Sequence, residues 1–101
     1  MKIEDKFHDE MKKIYLKAKE EAHYPANRFI QMVSNDGGLE TAKKLIMKEG
    51  GSDGFTNLWE RNRLDLTVEA LVIRAEFASL FSEEEIKICK ERLKKYGYEN
   101  L

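Results

Sequence analysis

The clearest structural signal in this chain is the stretch SEEEIKICKERLKKYG at residues 82–97. Ser82 is followed three positions later by Glu85, which matches a capping box: the serine hydroxyl accepts a hydrogen bond from the Glu85 amide, and the glutamate side chain reaches back. Behind this cap, apolar side chains recur at steps of three and four residues, the spacing of one helix face; they are Ile86, Cys89, Leu93 and Tyr96. Gly97 is suited to end the helix because glycine readily adopts left-handed backbone angles.

Outward from this stretch, the same helical spacing recurs in shorter segments. The predicted helices are residues 5–23, a helix beginning at Pro25 and stopped at residues 35–38, residues 39–48, a short helix capped by Ser52 or Asp53, and one capped by Thr67. Residues 64–66 predict an extended connector with both leucines buried. Residues 71–73 could alternatively form a strand, although a single strand cannot make a sheet. We therefore expect an all-α fold, a compact orthogonal bundle of five to six short helices.

Length and composition favour a single domain over residues 1–101. The 18 basic and 19 acidic residues give a net charge of −1, without a basic tail, so the electrostatic footprint of a dedicated nucleic-acid binder is missing. Cys89 is the only cysteine and falls on an apolar helix face, which predicts a buried, unreactive thiol. No apolar run approaches the ~18 residues of a membrane span, and the N-terminus does not resemble a signal peptide. We expect a cytoplasmic protein without a membrane partner.

No catalytic or metal-binding signature is present in the sequence. His8 and His23 have no second histidine four positions away, so we expect surface histidines and no metal site. The glycine pairs lack the lysine and hydroxyl residues of a phosphate loop. We therefore expect no cofactor and no enzymatic activity. An enzyme that used scattered carboxylates would need a close pair of buried acids in a cleft.

The segment 54–66 concentrates the residue types that dominate protein-binding surfaces. The candidates for an interaction surface are Phe55, Trp59, Arg61 and Arg63. Phe55 and Trp59 are four positions apart on one helical face, so core packing explains them as well and is favoured over an interface. We expect the two arginines to be the exposed members.

A second candidate surface lies on the last predicted helix. Lys87, Lys90 and Lys94 share one face there, which suggests weak nucleic-acid binding. Glu83 and Glu91 dilute that face, so an ordinary solvated helix surface is favoured.

Residues 24–98 resemble a small bacterial module that occurs alone or attached to other domains, some of them nuclease-like. The resemblance rests on YP at 24–25, RFIQM at 28–32, GG at 37–38, GFTNLWE at 54–60, RLDLTVEALV at 63–72 and YGY at 96–98. It implies a compact helical unit without an assigned activity, with a role near nucleic-acid processing or defence in bacteria or phages. Residues 1–23 fall outside it and form an additional amphipathic helix.

Together these patterns favour a non-enzymatic protein-interaction module that binds a protein partner or a second copy of itself. The alternative is a nucleic-acid-associated accessory protein of bacterial or phage origin.

Overall fold

The computed structural model describes residues 2–98, and every regular element within that range is a helix. The six α-helices are α1 (Ile3–Glu21), α2 (Asn27–Asp36), α3 (Gly38–Ile46), α4 (Asp53–Glu60), α5 (Val68–Val72) and α6 (Glu83–Lys95). Two 3-10 helices, Leu64–Leu66 and Ala75–Leu80, join α4 to α5 and α5 to α6. The predicted all-α class is confirmed. The Cα radius of gyration of 12.3 Å is that of one globular unit of this size.

The predicted helix caps are present as hydrogen bonds. In α6 the Glu85 amide donates to Ser82 Oγ at 3.1 Å, and the Ser82 amide donates to Glu85 Oε1 at 2.8 Å, which completes the capping box. Ser52 and Thr67 accept equivalent bonds at the starts of α4 and α5. These short polar side chains determine where the helices begin because they satisfy amides that have no partner within the helix.

The connector at residues 64–66 differs from the extended segment predicted from the sequence. It is a 3-10 turn, because the Thr67 hydroxyl and amide both donate to the Leu64 carbonyl, at 2.6 and 3.1 Å. Leu64 and Leu66 are buried, as predicted. Leu71 and Val72 belong to α5, so the strand alternative is wrong. The second helix begins at Asn27 and leaves Pro25 in the preceding loop.

Helix α1 packs against its own domain and forms the centre of the main core. Phe7, Met11 and Ile14 lie in this core, and Phe7 and Met11 are fully buried. The Phe7 ring makes edge-to-face contacts with Phe77 at 5.1 Å and with Phe81 at 5.3 Å between ring centroids. The additional N-terminal helix is therefore an integral part of the fold.

Helices α1 and α3 approach closely at the start of α3. Gly37 has a φ of +87°, which turns the chain sharply between α2 and α3. Gly38 then lies against α1, and its amide donates to His8 Nδ1 at 2.9 Å. His8 is partly buried, so the expectation of a solvated histidine is wrong: its ring nitrogen serves as a cap for α3.

A buried ion pair joins three helices on the other side of the core. Glu69 of α5 is 1% exposed, and its Oε2 accepts a hydrogen bond from Arg92 Nη1 of α6 at 2.9 Å. Arg92 Nη2 donates to the carbonyls of Ile46 and Lys48, at 3.2 and 3.0 Å. One guanidinium group thus neutralises the buried carboxylate and also caps the C-terminal end of α3.

Replacing Arg92 with methionine should lower the free energy of unfolding by about 3–5 kcal/mol, because it leaves a buried carboxylate without its cation. Burial already raises the pKa of Glu69, and Arg92 opposes that shift. In the variant the pKa of Glu69 in the folded chain rises further. Glu69 then stays protonated in the folded chain at pH values above about 4.3, where the unfolded chain has already released this proton. The free energy of unfolding should therefore fall as the pH rises above about 4.3.

Urea unfolding of Arg92→Met at about pH 5 and about pH 7.5 measures this effect. The matched control is the double variant Glu69→Gln/Arg92→Met, in which both charges are gone and the pH dependence attributed to Glu69 should disappear. A single variant as stable as the unmodified chain at both pH values would contradict the assignment.

Gly38→Ala tests the close approach of α1 and α3, and Gly54→Ala is its control. A Cβ at position 38 would lie 2.8 Å from the His8 Cα, so α1 or α3 must shift, and we expect a loss of about 1–3 kcal/mol. A Cβ at position 54 meets nothing closer than Ser52 Oγ at 3.7 Å, and alanine should be neutral or should stabilise by up to about 1 kcal/mol. Equal changes in melting temperature would contradict the close approach.

Candidate binding cleft

A cleft of about 680 Å³ opens between the C-terminal half of α1, the helices α2, α3 and α4, and the segment from Leu66 to Glu69. Its volume falls within the range of about 300–1,000 Å³ that is usual for ligand-binding pockets. Apolar side chains form much of its lining, among them Ala18, Phe29, Met32, Leu45, Phe55 and Leu58. Phe29, Met32 and Leu45 are only partly buried, so they offer apolar surface that an occupant could cover.

The loop between α1 and α2 forms one wall of the cleft and is fixed by two contacts. The Tyr24 amide donates to the Ala18 carbonyl at 2.9 Å, which ties the loop to the last turns of α1. The Arg61 guanidinium lies over the Tyr24 ring, 5.2 Å from its centroid. Partial burial raises the pKa of the Tyr24 hydroxyl, and the neighbouring Asp53 carboxylate adds to the shift.

Charged groups also line the cleft, and all of them except Glu69 are exposed. Arg28 of α2, Lys44 of α3 and Lys48 just beyond α3 line it, and so do the acids Asp53 and Glu69. Lys44 pairs with Asp36 outside the lining, at 3.2 Å. Within residues 2–98, neither Arg28 nor Lys48 has an ion-pair partner within 4.0 Å.

Glu69 is the one buried acid among the described residues. Burial raises its pKa, and Arg92 at 2.9 Å opposes that shift. An enzyme that hydrolyses its substrate with two carboxyl groups needs a second acid, in an environment that gives it a different pKa. Residues 2–98 do not place a second buried carboxylate beside Glu69, so the scattered-carboxylate hypothesis lacks the pair it requires.

The four interaction candidates occupy different environments. Phe55 is 1% exposed and belongs to the core, which is the placement that the sequence favoured. Trp59 is 42% exposed, so the core placement favoured for it is wrong; its ring makes an edge-to-face contact with Tyr96 at 5.2 Å. Tyr96 makes a second such contact with Phe55, also at 5.2 Å, so it bridges the core and the exposed indole.

Both arginine candidates are engaged within the chain. Arg61 Nε donates to the Ala22 carbonyl at 3.0 Å, and its Nη1 donates to the carbonyl and side-chain oxygens of Asn57. Arg63 pairs with Glu21 at 2.8 Å and with Asp65 at 3.1 Å, and these carboxylates raise its pKa. Arg61 thus connects α4 to the end of α1, and Arg63 connects α1 to the 3-10 turn.

Five residues of the lining were not predicted as site residues from the sequence: Tyr24, Arg28, Phe29, Met32 and Lys48. Four of them lie within residues 24–32 and Lys48 lies beyond α3, and no functional motif marks them. Phe29 lies in a predicted helix, but the sequence could not show that its side chain would be only partly covered.

The three lysine candidates lie exposed on α6 and have different neighbours. Lys87 lies 4.0 Å from Glu91 in a solvated ion pair. Lys90 lines a separate depression of about 380 Å³ together with Lys13 and Lys17 of α1. Lys94 is not part of that lining.

The depression itself has a mixed charge. Arg74 adds a fourth cation to its lining, but Glu10 and Asp65 also line it, and Glu10 pairs with Lys13 at 3.7 Å and with Arg74 at 3.8 Å. The surface therefore combines four cations with two acids. It lacks the continuous positive track that phosphate binding favours.

Cys89 is fully buried, and burial raises the pKa of its thiol to about 12. The predicted buried thiol is thus confirmed. Residues 2–98 contain no cluster of three or more potential metal ligands. Over the same range no helix is long and apolar enough to cross a membrane.

Comparison with protein-family models, with curated proteins and with solved structures found no match. The resemblance of residues 24–98 to a bacterial helical module therefore stays a prediction.

Arg61→Ala and Arg63→Ala should differ in their effect on stability. Arg61 loses its bond to Ala22, its bonds to Asn57 and its contact with Tyr24, so we expect a loss of about 1–2 kcal/mol. Arg63 loses only solvated ion pairs, worth at most about 1 kcal/mol. Thermal or urea unfolding of both variants provides the comparison. A larger loss for Arg63→Ala would contradict the role given to Arg61.

Proposed function

We propose that this protein is a non-enzymatic interaction module that binds a segment of a partner polypeptide in the cleft between α2, α3 and α4. The observation that carries the proposal is the cleft itself: about 680 Å³, with partly covered apolar side chains inside and polar groups at its edge. An apolar centre surrounded by a polar rim is the usual anatomy of a protein-binding surface.

The position of the cleft supports a polypeptide occupant. Its walls are helices fixed by the core, by the Ser52 cap of α4 and by the contact between Arg61 and Tyr24. A surface that is already ordered before binding loses little conformational entropy when a partner docks. The cleft also lies between helices, and such a cleft can receive side chains that project from a helix or an extended segment.

The exposed Trp59 is a second apolar surface, separate from the lining of the cleft. Trp59 packs on Tyr96, which follows α6, whereas Phe55 and Leu58 of α4 line the cleft. Because Trp59 is not part of the lining, a partner bound in the cleft would contact α4 at other residues than a partner bound at Trp59.

Three methionines provide natural probes for testing the proposal. Met32 lines the cleft, Met47 is 64% exposed and lies outside its lining, and Met11 is fully buried in the core. Peptides are first selected from a randomised display library against the full chain. They are then titrated into a chain labelled with ¹³C at the methionine methyl groups. We expect the Met32 methyl resonance to shift with saturation while those of Met47 and Met11 stay in place.

Three results would contradict the proposal. A library that yields no binding peptide argues against an interaction module, and peptides that shift Met47 alone place the interface elsewhere. A Met32 resonance that shifts with protein concentration, in the absence of peptide, would mean that the cleft binds a second copy of this chain.

Nucleic-acid binding is the weaker of the two candidate functions. Lys90 does meet Lys13 and Lys17 at the smaller depression, but Glu10 and Asp65 share that surface. The net charge of the chain is −1, so no excess of positive charge draws a polyanion to it.

A further inference from the structure

Some of the charged groups that line the cleft already have an ion-pair partner within the chain, and others do not. Three cations line it, Arg28, Lys44 and Lys48, against the two acids Asp53 and Glu69. Counting these charged groups alone gives the lining a weakly positive net charge. The contacts of each group show that the charge available to a partner is more positive than this.

One of the two acids is already paired. Glu69 is bound to Arg92 at 2.9 Å, so the pair contributes little net charge to the cleft. Asp53, the first residue of α4, is exposed and has no ion-pair partner within 4.0 Å among residues 2–98.

The three cations of the lining outnumber this free acid. Among residues 2–98, Arg28 and Lys48 have no ion-pair partner within 4.0 Å, and both are exposed. Lys44 pairs with Asp36, but the two side chains are 51% and 34% exposed. Such solvated pairs contribute at most about 1 kcal/mol, so Lys44 can exchange its partner at little cost.

We infer, on the basis of the proposed function, that the partner segment is acidic as well as apolar: it inserts an apolar side chain into the cleft and places adjacent Asp or Glu carboxylates against Arg28 and Lys48. Arginine can bind a carboxylate through two parallel hydrogen bonds, which adds orientation to the attraction. Lys48 and Lys44 extend the positive rim along the end of α3.

The lining favours an acidic peptide over a nucleic acid, although both carry negative charge. Met32 and Leu45 are partly exposed and supply aliphatic surface that matches an aliphatic or aromatic side chain of a peptide. Single-stranded nucleic acids are bound by a positive groove in which aromatic rings stack on successive bases. Of the three partly exposed aromatic rings in the lining, Tyr24 is already covered by Arg61, which leaves Tyr15 and Phe29 for stacking.

The test uses the full chain and the peptide library described above, together with two double variants of equal charge change. Arg28→Glu/Lys48→Glu reverses the free cations of the rim. Lys12→Glu/Lys19→Glu reverses two exposed lysines that do not line the cleft. Thermal melting establishes that each variant is folded; Arg28→Gln/Lys48→Gln replaces the first variant if charge reversal prevents folding.

We expect peptides that shift the Met32 methyl to be enriched in Asp or Glu next to an apolar residue. Their affinity should fall about tenfold or more for Arg28→Glu/Lys48→Glu and change less than about twofold for the control pair. Raising the salt concentration should weaken their binding to the unmodified chain, because these charges are exposed.

Two results would overturn the inference while leaving the proposed function intact: cleft-binding peptides without acidic enrichment, or equal affinity for both double variants. Failure of every peptide to shift Met32 would instead defeat the proposed function. Nucleic-acid binding is tested by fluorescence anisotropy with labelled single-stranded DNA. DNA binding that is lost in Arg28→Glu/Lys48→Glu and kept in the control pair would assign the rim to nucleic acid.

Discussion

The arrangement of the helices depends on the guanidinium of Arg92. It is the cation for the buried Glu69 and the hydrogen-bond donor to two carbonyls at the end of α3. Helix α5 is only five residues long, too short to be stable in isolation, and all five residues are buried. The ion pair fixes this short helix against α6, while the same side chain determines where α3 ends. An apolar side chain at position 92 could fill the space but could not satisfy those carbonyls.

The fold was largely predictable because its signals are local. The Ser82–Glu85 capping box, the Ser52 and Thr67 caps and the three-to-four spacing of apolar residues each depend on neighbouring positions. Their bonds can therefore be inferred without tertiary information. One error occurred where a distant residue decides the local structure. His8 was expected in solvent because its partner, the Gly38 amide, lies thirty residues away in the sequence.

The candidate site was not predictable for the same reason. A cleft is the space left between helices, so it depends on packing angles and on which side chains are small, such as Ala18. The segment 54–66 was correctly identified as unusual, but its parts have separate roles. Phe55 packs in the core, Arg61 connects α4 to the end of α1, and Trp59 faces outward against Tyr96. Residue type alone suggested one surface, whereas the geometry separates it into three environments.

The contact between Trp59 and Tyr96 also gives the protein a built-in optical reporter. Trp59 is the only tryptophan, so the intrinsic emission of the chain at long wavelength comes from one known position. That position is the junction of α4 and α6, since Tyr96 directly follows the last residue of α6. Helix α4 also lines the cleft through Phe55 and Leu58. A movement of α4 that widened or closed the cleft would change the surroundings of the indole, so the unlabelled protein signals the position of this helix through its own fluorescence.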